Sequence, residues 1–255
     1  MDLKRWTASY RARYPAIDRM LCFAQRMPQL ALAIVLFGAG LLAAVAHVAA
    51  LAGALFGAGA ALLGTWITEF NNRRAALDEK SRRQIAARDY LSPELYRTIE
   101  RVLYIHERAI PNFISASAEH EIKPNDLKED FIPYWPVLYP SAPQFRDLSG
   151  EEAAALIAFY DSLHSLAQFV TDWWGREGQL PVNIFNMIMH RAAESLKLAL
   201  VCVDKFELDR RYPAQASGTI SSRIERSTST AAKARDHHIA RFEAKTTKTV
   251  PVNRG

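Results

Sequence analysis

Between Met27 and Thr68 the chain carries no Asp, Glu, Lys or Arg, a window of 42 residues closed by Arg26 and Glu69. A water-soluble core does not require so long an uncharged run. A bilayer does, because a charged side chain at the centre of a spanning helix costs about 3 kcal/mol. As one straight helix, Leu30 to Thr68 would extend roughly 58 Å at about 1.5 Å per residue, nearly twice a hydrocarbon core of about 30 Å. The segment therefore predicts two helices, about residues 29–46 and 50–69, joined by a tight turn at His47. Pro28 suits the first helical position, where its missing N–H costs nothing. A re-entrant hairpin is the competing geometry. A signal peptide fits less well, since 29 residues precede the apolar run and a second apolar helix follows it.

Charge sets the expected orientation. Residues 1–28 hold six Lys and Arg against two Asp, and residues 214–255 hold eight against three acids, while the middle is near balance. Arg19 and Arg26 precede the first helix, Arg73 and Arg74 follow the second, and the turn carries no charge. The positive-inside rule then places both termini in the cytoplasm, as a two-span protein of a bacterial inner membrane. Trp6 and Trp66 join these arginines as interfacial anchors. Ile17, Met20, Leu21, Ala24 and Met27 share a helical face, so residues 1–28 read as a basic amphipathic juxtamembrane segment on an anionic leaflet. The lipid bilayer is thus the first expected partner. The basic ends lack interleaved aromatics or a recognised motif, which argues against nucleic acid.

Small residues recur at every fourth position of the second span: Ala49, Gly53, Gly57, Ala61 and Thr65. Such a stripe lets helices approach closely in lipid. The first expectation is packing against the other helix of the same hairpin, with Gly38 and Gly40 supplying the matching surface. Self-association between chains is the rival.

Beyond the membrane segment the chain predicts an all-α protein. Residues 70–91 read as a charged helical stalk, with Asp78–Arg82 and Glu79–Arg83 in the favourable i,i+4 order. A coiled-coil seam through Phe70, Leu77 and Leu91 is the alternative, interrupted by Gln84. Residues 92–212 read as a cytoplasmic helical bundle. Ser92-Pro93 predicts a helix start, and Leu95, Ile99, Val102, Leu103 and His106 share one side until Pro111. Residues 122–148 alternate proline with aromatic rings and are expected to dock on the helices. Tyr134, Trp135 and Tyr139, with two PxxP spacings, form a candidate protein-partner surface. Ser149-Gly-Glu-Glu152 is a capping box that opens a helix to about Trp174, and Pro181 opens another to about Arg210. Their short connection predicts an antiparallel pair. Residues 213–255 read as a disordered basic tail with at most a transient helix near 231–244.

Chemistry is sparse. There is no Gly-rich phosphate loop, HExxH, CxxC or GxSxG, so no cofactor and no catalytic set is indicated. Asp161–His164 and His190–Glu194 would approach each other on an antiparallel pair and could form a metal site. Their spacing lacks the paired ExxH of di-iron bundles, and two surface charge pairs is the simpler reading. Cys22 and Cys202 are too far apart in sequence for a metal motif and read as reduced thiols. The layout of juxtamembrane helix, hairpin and cytoplasmic helices is similar to that of two-span effectors of bacterial conflict systems and phage holins. That likeness of architecture implies an oligomeric, membrane-permeabilising alternative to an anchored partner-binding bundle. A membrane-bound metal protein or enzyme is the third reading.

Overall fold

The computed structural model describes residues 27–118, 127–174, 181–214 and 216–249. Trp6, Arg19, Arg26, Cys22 and the amphipathic segment before residue 27 lie outside the described residues. Within them the chain is all-α, with six helices, two short 3-10 turns and no strand. It divides into two units, Met1–Ser81 and Arg82–Gly255.

In the first unit, α1 (Pro28–Val45) begins with Pro28 at its first turn, as expected. α2 spans Ala49–Ser117, and its opening turns complete the hairpin. The turn between them is a Schellman closure. Val48 N–H donates to Ala43 O at 3.0 Å and His47 N–H to Ala44 O at 3.1 Å. His47 takes the left-handed position, with φ 60°. Glycine is the usual residue there, and a histidine side chain costs about 1 kcal/mol. The two helices close through rings seated on glycines. A Cβ on Gly40 would meet the Phe56 ring at 3.1 Å, and one on Gly59 would meet Phe37 at 3.2 Å. Ala33, Ala43 and Ala52 fill the rest of the seam.

The second unit starts inside the expected stalk. Ala87 and Leu91 are buried in its core, while Arg82, Arg83, Ile85, Ala86, Asp89 and Tyr90 between and before them stay exposed. Phe70 and Leu77 are exposed and Leu91 is not, so the three do not share a seam. Ser92-Pro93 does not begin a helix. Both Pro93 and Pro111 lie within α2. Pro93 removes one helical N–H, and the Ser92 hydroxyl donates to the Arg88 carbonyl at 2.6 Å, so the backbone here is partly held by a side chain. Core burial of Leu91, Leu95, Ile99, Val102 and Leu103 on both sides of Pro93 outweighs the local break.

α3 (Gly150–Trp173) starts at the expected capping box. Ser149 N–H donates to Glu152 Oε2 at 2.8 Å, and Glu152 N–H to Ser149 Oγ at 3.3 Å. α4 (Pro181–Lys205) returns beside it, and Lys205 at the end of α4 pairs with Glu151 at the start of α3. The pair is therefore antiparallel. The proline-rich strap docks on this core. Its 3-10 turn Lys128–Phe131 inserts Phe131 against Phe185 and Trp174, at ring distances of 5.7 and 5.3 Å. After α4 come a single-turn helix α5 (Leu208–Arg211) and a long helix α6 (Ile220–Thr249).

α6 corrects the expectation of a disordered tail. Gly218, at φ 106°, makes the turn before it, and Thr219 Oγ1 accepts the Ser222 N–H at 3.4 Å as an N-cap. Ile220, Ile224 and Ala231 are buried. Three contacts tie α6 to α2: Arg223 to Glu100 through both guanidinium nitrogens, Ser227 to His106, and His238 to Phe113. The numbers rise together along both helices, so α2 and α6 run parallel. Serine and threonine lower the mean hydropathy of this segment, but the spacing of 220, 224, 227 and 231 is helical.

Candidate functional site

Among the described residues, three helices are long and apolar enough to cross a membrane: α1, the apolar part of α2, and α3. For α3 the apolar face has another use. Leu156, Phe159, Leu163, Leu166 and Val170 are buried in the second unit, and Glu152 is buried with them. The α1–α2 hairpin is different, because Leu32, Ile34, Val35, Leu41, Leu42, Val45 and Leu51 are exposed. Exposed apolar side chains in such number are what a lipid-facing helix carries.

The hairpin does not use the small stripe for its own closure. Ala49, Gly53, Gly57, Ala61 and Thr65 are all exposed, and a Cβ on Gly53, Gly57 or Gly38 would meet nothing within 4 Å. The seam runs instead through Gly40, Ala52, Phe56 and Gly59. The expectation of packing against the first helix is thus overturned. Both GxxxG glycines point away from α1 because the bulky Phe37 and Phe56 rings select Gly59 and Gly40 as their seats. At the open end of the hairpin, Trp66 stacks on Phe70 at 5.6 Å, and Arg73 pairs with Glu69. Arg74 is exposed.

The second unit carries a groove of about 530 Å³ between α2 and the strap. Tyr90, Pro93, Glu94, Arg97 and Thr98 form one wall, and Tyr134, Trp135, Val137 and Leu138 the other. Glu94 builds it. Its carboxylate accepts the Val137 N–H at 2.8 Å and the Leu138 N–H at 3.0 Å, holding the strap one step off the helix. Arg101 holds the other end. Its Nε donates to Ile132 O at 3.1 Å, and its guanidinium lies over the Tyr134 ring at 4.9 Å. Tyr134 and Trp135 are exposed, with Trp135 edge-on to His164 at 5.3 Å. Tyr139 is not part of this surface. It is half-buried against Tyr160 and Phe145, at 5.0 and 5.5 Å.

The metal candidates do not converge. Asp161 and His164 are exposed on α3, and His190 lies on the surface of α4 with its Nε2 3.3 Å from Glu194. Among the described residues no group of three or more His, Cys, Asp or Glu could hold a metal ion. An antiparallel pair aligns heights but not faces, and the core-facing positions between these residues are apolar.

Two buried polar centres escaped the sequence reading. Glu152 is 1% exposed and receives Gln84 Nε2 at 3.0 Å and the Arg88 guanidinium. Burial alone would raise its pKa, but hydrogen bonds from Gln84, Ser149 and Arg88 outweigh it and hold the carboxyl below its ordinary value. His106 is fully buried, with Nδ1 2.7 Å from the Ser227 hydroxyl and Nε2 without a partner. Burial, aided by the positive charge of Arg235, pulls its pKa down from 6.5 to about 4. Both hold helices together. Comparison with known proteins yields no match to any family model, curated protein or solved structure.

Proposed function

We propose that this chain is an integral protein of a bacterial inner membrane. Its hairpin spans the bilayer with both termini cytoplasmic and anchors a helical domain that binds a protein partner. The carrying observation is the contrast between the two units. One exposes uncharged apolar side chains along both helices, and the other closes a core around buried, fully paired charge. The groove walled by Tyr134 and Trp135 is the proposed partner surface, because rigid aromatic rings beside an arginine provide anchors at low entropic cost. Carbonate extraction of membranes tests the anchor, and release of full-length protein into the supernatant overturns it. Capture from mild detergent with wild type and Trp135→Ala tests the groove. A partner retained equally by both rules the groove out.

A second reading is favoured by one specific finding, the open space above Gly53 and Gly57. In lipid these glycines suit close packing between copies of the chain. Crosslinking in native membranes is expected to give ladders that Gly57→Leu abolishes while membrane insertion is retained. Ladders unchanged by that substitution exclude the interface. Dye release from vesicles carrying the wild type would extend this reading to membrane permeabilisation.

A further inference from the structure

The strap leaves one charge on α2 unmatched. Tyr90, Glu94, Arg97, Arg101, Tyr104 and Arg108 are spaced by three or four residues and share one face of the helix. The strap runs antiparallel along that face and meets its charged members in turn. Arg108 pairs with Asp130 at 3.4 Å, and the Arg101 guanidinium donates to the carbonyls of Glu129 and Ile132. The Glu94 carboxylate accepts the Val137 and Leu138 amides. Arg97, exposed in the groove wall, has no hydrogen-bond or ion-pair partner among the described residues. One turn on, Glu100 is already paired with Arg223. The groove thus sets an unneutralised guanidinium beside the exposed rings of Tyr90, Tyr134 and Trp135. The backbone N–H groups of Tyr134 and Trp135 also have no acceptor among the described residues.

We infer that this groove binds an extended acidic segment of a partner protein, with one partner carboxylate seated on Arg97 and its apolar neighbours against the three rings. The inference rests on the groove being the partner surface and names the chemistry it takes. A guanidinium can donate two parallel N–H bonds to a carboxylate, which fixes position as well as charge. An extended chain has free carbonyls for the Tyr134 and Trp135 amides, whereas a helix has already used its own. Nucleic acid fits less well. It carries a phosphate at every nucleotide, and the Glu94 carboxylate one turn from Arg97 repels a second anionic group.

The immobilised full chain in neutral detergent is exposed to a degenerate decapeptide library, and retained peptides are sequenced by mass spectrometry. Asp and Glu should be enriched about tenfold over the input at one position, the ratio expected of one charge-assisted pair. Arg97→Gln should abolish that enrichment, and Arg97→Lys should restore part of it. Because Arg97 is exposed and unpaired among the described residues, Arg97→Gln should leave helical circular dichroism and the urea midpoint unchanged. Retained peptides without acidic preference, no retained peptide, or an acidic profile unaltered by Arg97→Gln each overturn the inference. Arg97-dependent retention of a labelled single-stranded oligonucleotide in place of peptides overturns it in favour of nucleic acid. Partner capture from mild detergent separates this inference from the groove itself. A partner lost with Trp135→Ala but kept by Arg97→Gln leaves the groove standing and refutes the acidic segment. A partner kept by both variants removes the groove and the inference together, and loss with both supports them.

Discussion

Mild acid should weaken the second unit through His106. In the folded chain this imidazole is sealed between α2 and α6, with Ser227 on one nitrogen and nothing on the other. Its pKa falls from 6.5 to about 4, because the buried site disfavours the cation and Arg235 repels it. The sign follows from linkage. Below 6.5 the unfolded chain binds a proton that the folded chain refuses, so the stabilisation is complete above 6.5 and is lost as pH falls towards 4. At about 1.36 kcal/mol for each tenfold change in proton affinity, the difference amounts to about 3 kcal/mol, a large share of the stability of an ordinary domain. The assay is urea unfolding of the full chain in detergent at several pH values between 4 and 7.5. Helical circular dichroism and thiol exposure at Cys202 would report the transition. His106→Phe keeps a ring in the site and cannot titrate, and the freed Ser227 hydroxyl can turn to its own helix backbone. The variant should lose the dependence of midpoint on pH between about 5 and 7, above the range where Glu152 begins to protonate in the unfolded chain, whatever its absolute stability. If both proteins fall in parallel with acid, the assignment to His106 is wrong.

Four further outcomes are expected. Glu152→Ala should destabilise the second unit by about 3–5 kcal/mol in urea titrations, because it strands Arg88 and Gln84 and removes half of a capping box. Gly59→Leu should separate α1 from α2 by driving into the Phe37 ring, lowering disulfide formation between cysteines engineered across the seam, whereas Gly53→Leu should leave it intact. A fragment of residues 93–212 should melt less cooperatively than one of residues 82–249 in calorimetry. The shorter piece lacks Leu91, Ile220, Ile224 and Ala231, and burying each larger aliphatic side chain contributes about 1.5–3 kcal/mol. Burial pushes the Cys202 thiol up to about 12, so iodoacetamide at mildly alkaline pH should leave it unmodified until denaturant is added.

The failures of sequence reading share one cause. Ser92-Pro93 has the local chemistry of a helix start, yet Leu91 and Leu95 pull both sides of the proline into one core, and packing overrides it. Residues 220–231 have the composition of a tail, but a few buried positions at helical spacing and one buried hydrogen bond outweigh a polar average. Gln84 looked like an interruption of a seam and is instead a donor to a carboxylate 68 residues away, which no local pattern could announce.

What the sequence determined alone was whatever depends on neighbours along the chain: the two apolar helices and their turn, the Ser149–Glu152 box, the lengths of α3 and α4, and the helical class throughout. Tertiary structure alone decided which faces meet. It turned Gly53 and Gly57 outward, left His164 and His190 on exposed faces, drew α6 onto α2 and buried Glu152 and His106. The physical reason is that a helix's period ranks its faces by polarity but does not say which of two similar faces finds the better-fitting partner, and that choice is made by the shape of side chains distant in sequence.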